Sequence, residues 1–385
     1  MNVTKIFGWA AAALVLSGLF GGVPAFAFPE MIRYNYVNCT SCHVSPTGGG
    51  TLTAYGRETS LDILSTWGVD GEQKAAYFIN SPEWLNLGGD YRSAYSYLNS
   101  ATSEMGQYNF MQLDVEAAVT YKKFTLNASL GYNDPDPGFY NGWRDALISR
   151  THYIMYQATD EVAVRFGRFY PAFGINTPNH SLLIKENLNV GVPEQVNSAD
   201  GESYNLEVSY LGDKYNVIAT GIFGRPDDPT GTQREVGASL VVSRSFFDHY
   251  KAGLSYLYGT DSDEHRHLVG PYGILGFTQK LYLLTELDFQ IETPTGLQAG
   301  PTTHGFAQLN RLGYEAAKGV NLIVDQEYSR VDFSNPDTLE QHYGAGVWWY
   351  PRPHLEVSLE YQKRQDVQEG SGFYDFAYFL WHIYI

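Results

Sequence analysis

From Trp84 to the C-terminus the side chains alternate with a period of two. In "LNLGGDYRSAYSYL", Leu85, Leu87, Tyr91, Tyr95 and Tyr97 share one face, and Asn86, Asp90, Arg92 and Ser96 share the other. In "MQLDVEAAVTYK", Met111, Leu113, Val115, Ala117, Val119 and Tyr121 oppose Gln112, Asp114, Glu116 and Thr120. "LYLLTELDFQIE" and "LEVSLEYQ" repeat the pattern, with Glu286, Asp288, Glu356 and Glu360 on the polar side. Residues i and i+2 share a face only in a strand, so each stretch reads as a strand with one apolar face. About sixteen such stretches follow residue 84. Their connections alternate in length. "KK" (122–123), "ATDE" (158–161), "LGDK" (211–214) and "AAKG" (316–319) are short, whereas "NDPDPGFYNGWRD", "GTDSDEHRH" and "ETPTGLQAGPTTH" are long. A sandwich has no reason to keep that alternation. A barrel crossing an outer membrane, with short periplasmic turns and long extracellular loops, does. The expected fold is therefore all-β: a transmembrane antiparallel β-barrel of about sixteen strands over residues 84–385.

Composition agrees where it bears on this. The 385 residues include 30 Tyr and 39 Gly, only 17% are charged, and no apolar run beyond the N-terminus approaches the ~20 residues of a membrane helix. A net charge of −17 argues against nucleic acid as a partner and is compatible with cations. The first stretch, "MNVTKIFGWAAAALVLSGLFGGVPAFA", has one Lys, an apolar core and a small-residue A-x-A ending, the pattern of a secretory signal peptide (1–27) cut after Ala27. The export route and the barrel together place the chain in the bacterial outer membrane, in contact with its lipid.

Residues 28–83 are different in kind. They contain the chain's two cysteines, in "NCTSCHVSPTGGG", as Cys39-x-x-Cys42-His43. C-x-x-C-H is a c-type haem attachment motif. Cys39 and Cys42 are spaced to form thioethers with the two vinyl groups, and His43 lies under the iron as proximal ligand. A thioredoxin-like pair would want a βαβ context, which the sequence lacks, and a zinc site would want two further nearby ligands. A structural disulfide is the remaining competitor. The expected cofactor is one covalent haem c. Thr51 or Thr53 would cap a helix running toward Trp67, and a second helix is expected over "EQKAAYFI". A helical unit this small buries little core alone. It is expected to plug the barrel lumen, with Gly48–Gly50 as the bend.

The third long connection, "FYPAFGINTPNHSLLIKENLNVGVPEQVNSAD", is the outlier in size. Its Leu182, Leu183, Ile184 and Leu188 call for burial, and long loops of this kind are usually functional. Candidate distal ligands to the iron are Met31, the one mature Met of the first unit, and His180 in this loop. His152, His304 and Met155 on the barrel are weaker candidates.

Three resemblances add to this reading. "VRFGRFYPAFGINTP" resembles a porin segment whose loop folds into the lumen. "FYDFAYFLWHIYI", with Phe379, Trp381, Ile383 and Ile385 on one face, resembles the terminal strand by which outer-membrane proteins are recognised for assembly. The order of signal peptide, single C-x-x-C-H unit and barrel resembles the fused monohaem c-type cytochrome–porins of bacterial outer membranes, whose best-known members oxidise iron outside the cell. That resemblance implies an electron-transfer protein, with Fe(II) oxidase activity as one form. It would carry electrons between extracellular iron, or another redox partner, and a periplasmic electron carrier. An acidic lumen, with Asp90, Asp114, Glu116, Glu207, Asp325 and Glu327 among its members, would favour cations. The alternative is a solute-diffusion porin with a haem-containing structural or gating plug. A haem-based sensor or assembly component is a third reading.

Overall fold

The computed structural model describes residues 28–132, 147–177, 182–188, 202–224, 235–261, 263–296, 300–366 and 372–385. The expected signal peptide and His180 lie outside the described residues.

Seventeen strand segments form one sheet, and all neighbours are antiparallel. The first strand, Leu85–Asn99, pairs with the second, Glu104–Tyr121, and also with the last, Tyr374–Tyr384, which closes the sheet. Leu147–Ile148 and His152–Gln157 both pair with Phe124–Tyr132. They are one strand interrupted at residues 149–151, so the seventeen segments make a sixteen-stranded closed barrel. Closure leaves no strand edge unpaired. Seven short connections lie at one end, periplasmic in barrels of this kind, while the other end mixes long loops with the short links 100–103 and 261–263.

The burial pattern is inverted relative to a water-soluble protein. Val115, Leu126, Phe166 and Leu254 are exposed on the outer face, while Glu207, Glu286, Asp288 and Arg311 are almost completely buried inside. Apolar side chains facing outward and ions facing inward require lipid as the outer solvent. The chain is an integral outer-membrane barrel. Among the described residues no helix is long and apolar enough to cross a membrane, which leaves the crossing to the strands.

Two expectations fail locally. Met111 was placed on the lipid face by strict alternation. The pairs Arg92↔Gln112 and Ser93↔Phe110 skip it, so it is the extra residue of a one-residue bulge, and it lines a lumenal chamber beside Leu284, Trp348 and Glu356. The helix expected over "EQKAAYFI" is a run of turns instead. Ala76 (φ 49°) and Tyr77 (φ 65°) are left-handed, which a helix cannot contain.

Residues 28–83 enter the barrel from the short-turn end. A 3-10 helix, Pro29–Tyr34, is followed by the cysteine segment and an α-helix, Ala54–Thr59, which passes into a π-helical turn, Ser60–Leu64. Thr53 is the N-cap, its Oγ1 accepting from the Gly56 N–H at 3.1 Å. Side chains of the unit donate to carbonyls of the periplasmic turns: Asn38 to Gly212 (3.2 Å), Thr66 to Lys318 (2.9 Å) and Tyr77 to Pro353 (2.9 Å).

Candidate functional site

The cysteine segment is one tight turn. Cys39–Ser41 is 3-10 helical, and the Cys42 and His43 N–H groups both donate to the Cys39 carbonyl, at 3.1 and 2.9 Å. His43 then bridges to Leu52 in a short antiparallel pair, with Val44 N–H donating to Thr51 O at 3.1 Å. The chain can double back over so few residues because Gly48, Gly49 and Gly50 are all left-handed, with φ of 82°, 75° and 61°. Gly56 lets the following helix lie directly on the motif. A Cβ there would stand 2.3 Å from the Cys42 carbonyl oxygen.

The segment is bonded into the lumen. The Arg165 guanidinium grips Glu207 through two bonds of 2.8 and 3.0 Å and turns its other N–H groups to Ser45 Oγ and Thr47 Oγ1, both at 3.0 Å. Glu116 accepts from the Thr51 N–H and hydroxyl, each at 2.9 Å. Arg33 pairs with Glu315 at 2.9 Å, where Tyr34 OH also donates at 2.6 Å. Lys251 donates to the Val37 carbonyl.

The long third loop folds inward, as its apolar residues required. Leu182, Leu183, Ile184 and Leu188 are buried in a cluster or beside it with Phe173, Leu257 and Leu309. Glu286 accepts from the Ile175 N–H (2.9 Å) and from Lys185 (3.4 Å), and Glu327 accepts from the Leu183 N–H (2.6 Å). Loop and plug touch directly, through Asn176 Nδ2 donating to the Thr47 carbonyl at 2.7 Å.

Between plug and loop lies a cavity of about 310 Å³, near the lower end of the ~300–1,000 Å³ range of small-molecule sites. Cys39, Cys42, His43 and Met31 line it from the plug, and Tyr170 and Phe173 from the loop. Arg150, Arg165 and Lys185 supply cations on its barrel and loop side. His43 is buried; both cysteines are half-buried and are not joined to each other. Burial pushes both thiols above the usual range, with nearby Lys251 opposing this at Cys39. An exchange-active dithiol has the opposite shift. Among the described residues no cluster of three His, Cys, Asp or Glu side chains could hold a metal ion. The cavity wall carries carboxylates too, Asp90, Asp114, Glu116 and Glu202, beside the cations, and two protonated thiols and a buried imidazole on its plug side are a donor set that fits a tethered haem.

Of the other sequence candidates among the described residues, Met31 alone lines this cavity. His152 is held by Ser149 Oγ (2.9 Å) and Tyr204 OH (3.1 Å), Met155 packs with Tyr153 and Phe169, and His304 is exposed. The lumen is also less bare in its acidity than the strand pattern indicates. Asp114 pairs with Arg150 (3.2 Å), Asp325 with Arg311 (2.8 Å) and Glu207 with Arg165 (2.8 Å). Arg33, Lys185 and Arg311 are interior cations that the sequence reading did not assign to the lumen.

No family model matches the chain, and no curated protein matches it. Solved outer-membrane barrels share its fold. OmpT of Vibrio cholerae superposes with a TM-score of 0.57 at 13% identity, over 80% of this chain and 100% of that one. OprB of Pseudomonas putida gives 0.58 at 11% identity, over 78% and 94%. An anion-selective porin from Comamonas acidovorans gives 0.55 at 11% identity, over 78% and 98%.

Proposed function

We propose that the protein is a porin-type outer-membrane barrel whose bore is filled by a haem-bearing structural plug, residues 28–83. The observation that carries this is the bonding of the plug into the lumen wall: Arg33 to Glu315, Thr51 to Glu116, and Arg165 to Ser45 and Thr47. Breaking one buried ion pair by removing a partner costs about 3–5 kcal/mol. Arg33–Glu315 is one such pair, and the hydrogen bonds on Glu116 and Arg165 add to it, so the plug stays in place and the intact protein does not pass solutes as an open porin does. Cys39 and Cys42 would hold the haem by adding each S–H across a vinyl C=C bond, carbon–sulfur bond to one carbon and hydrogen to the other, with no oxidant needed. His43 would ligate the iron. The group supplies one-electron chemistry when bound.

A second reading, electron transfer across the outer membrane, is favoured by the C-x-x-C-H motif and by its position inside the barrel rather than beside it. A hydrocarbon layer ~30 Å thick separates an extracellular donor or acceptor, Fe(II)/Fe(III) among them, from a periplasmic carrier. A redox centre within the bore divides that distance. Salt bridges compensate several of the lumenal carboxylates, so acidity alone is no longer an argument for iron.

The experiment is paired. Planar-bilayer recordings compare the intact protein with a variant lacking residues 28–83; low conductance in the first and porin-sized conductance in the second is expected. A haem-stained gel and a reduced-minus-oxidised spectrum of the outer-membrane fraction test the cofactor. A large open conductance in the intact protein removes the plug, and an unstained band removes the haem. Bleaching by Fe(III) and recovery with Fe(II) would support the second reading.

A further inference from the structure

We infer that Met31 is the residue that would complete the iron's protein ligands together with His43, so that residues 31–43 supply both and the barrel supplies walls. This rests on the reading that Cys39, Cys42 and His43 carry a covalent haem.

Among the described residues lining the cavity, Met31 is the one His or Met side chain besides His43. Of the other described histidines, His342 faces Glu327, His382 bonds Glu356 at 3.0 Å, and His354 sits in a periplasmic turn. The sulfur is also supported from behind. Met31 lies in the 3-10 helix Pro29–Tyr34, and the chain is fixed just beyond it by Arg33 and Tyr34 on Glu315 and by Lys251 on the Val37 carbonyl. A ligand must be held by a rigid supporting shell, and this one is. Met31 is 8% exposed and packs with Leu64 and Tyr350. A thioether is apolar enough to be buried there and flexible enough about its three side-chain bonds to turn into the cavity. His43 and Met31 together would give a six-coordinate iron with no open position. Such a site suits electron transfer, and its Met ligand raises the potential. It is a poor site for sensing or activating a small diatomic ligand.

The test uses the full-length protein from outer membranes, as wild type, Met31→Leu and Met31→His. Leucine keeps the apolar packing at small cost. Barrel integrity is checked by heat-modifiable migration in SDS gels. The wild type is expected to be low-spin, with the near-infrared methionine–iron band and no carbon monoxide adduct of the ferrous form. Met31→Leu should lose the band, become high-spin, bind carbon monoxide and drop in potential, at unchanged covalent haem content by pyridine haemochrome. Met31→His should return to low spin without the band. Unchanged band and spin state in Met31→Leu, or a wild type that binds carbon monoxide directly, overturns the assignment. Absence of covalent haem from the wild type overturns the underlying reading instead.

Discussion

Acid should weaken what His354 contributes to plug docking. This residue sits in the turn between strands Leu339–Arg352 and Leu355–Gln365 and is fully buried. Its ring lies edge-on to Tyr77 (6.0 Å) and Tyr384 (5.8 Å), and its backbone N–H donates to Ser60 Oγ at 3.0 Å. Burial first, and then the Arg57 guanidinium, push the imidazole down to about 3, with only Glu72 opposing. The docked turn therefore binds a proton only below about 3, whereas a released turn binds one below its ordinary value of 6.5. Between these values the released form holds more protons, so docking weakens as pH falls through 6.5. At 1.36 kcal/mol per pKa unit, going from pH 7 to pH 5 takes about 2 kcal/mol from docking through His354, by itself on the order of a 25-fold rise in the released fraction. The assay is protease cleavage within residues 67–83, with open-channel bursts in planar bilayers, at both pH values. His354→Phe keeps a ring in the slot and removes the titration, and should respond far less to acid. An equal acid response in wild type and His354→Phe would falsify the assignment of the switch to this residue.

Three further outcomes are expected. Arg33→Met leaves Glu315 without its cation and should cost about 3–5 kcal/mol of plug docking, seen as frequent channel openings at neutral pH. Cys39→Ser with Cys42→Ser should abolish haem staining while the barrel still fractionates with the outer membrane, because the strands close without the cysteines. Gly174→Ala should displace the in-folded loop: Gly174 has φ +59°, and a Cβ there would stand 1.6 Å from Glu286 Oε1. Added protease should then cut the stretch 169–202 from outside faster than in the wild type.

The barrel was legible because lipid and lumen impose opposite chemistries on alternate residues, and the loop alternation gave its orientation. Leu182 to Leu188 announced their burial for the same reason: apolar side chains in a long loop need a place to go. Met111 was not legible, because a bulge is a one-residue slip that leaves composition untouched. The charge of the lumen was misread for a different cause. Arg33 comes from the plug and Lys185 from the in-folded loop, and each neutralises a strand carboxylate, Glu315 and Glu286. Alternation along a strand carries no information about a cation delivered from another part of the chain. The motif was visible at once. Its wall partners, Tyr170 and Phe173, were not, since they reach the cavity only through the loop's return into the bore.

That same sharing governs the energetics of the two parts. The apolar side chains of residues 28–83 have no private core. Ile32 packs with Ile274 and Tyr282 of the barrel, Leu52 with Tyr384, and Met31 and Leu64 with Tyr350. Phe28 stands edge-on to Tyr350 (5.3 Å) and Tyr384 (5.8 Å). Excised, the unit would expose these faces to water, and ~56 residues cannot replace them from within. The barrel is less dependent, since its strands are closed and its outer face is covered by lipid, but it would hydrate Tyr282 and Tyr350, both now buried to within 1%. Stability is therefore coupled in one direction more than the other. Loosening the plug should open the channel well before it unfolds the barrel, which is why conductance and protease cleavage, rather than barrel melting, report on every plug contact named above.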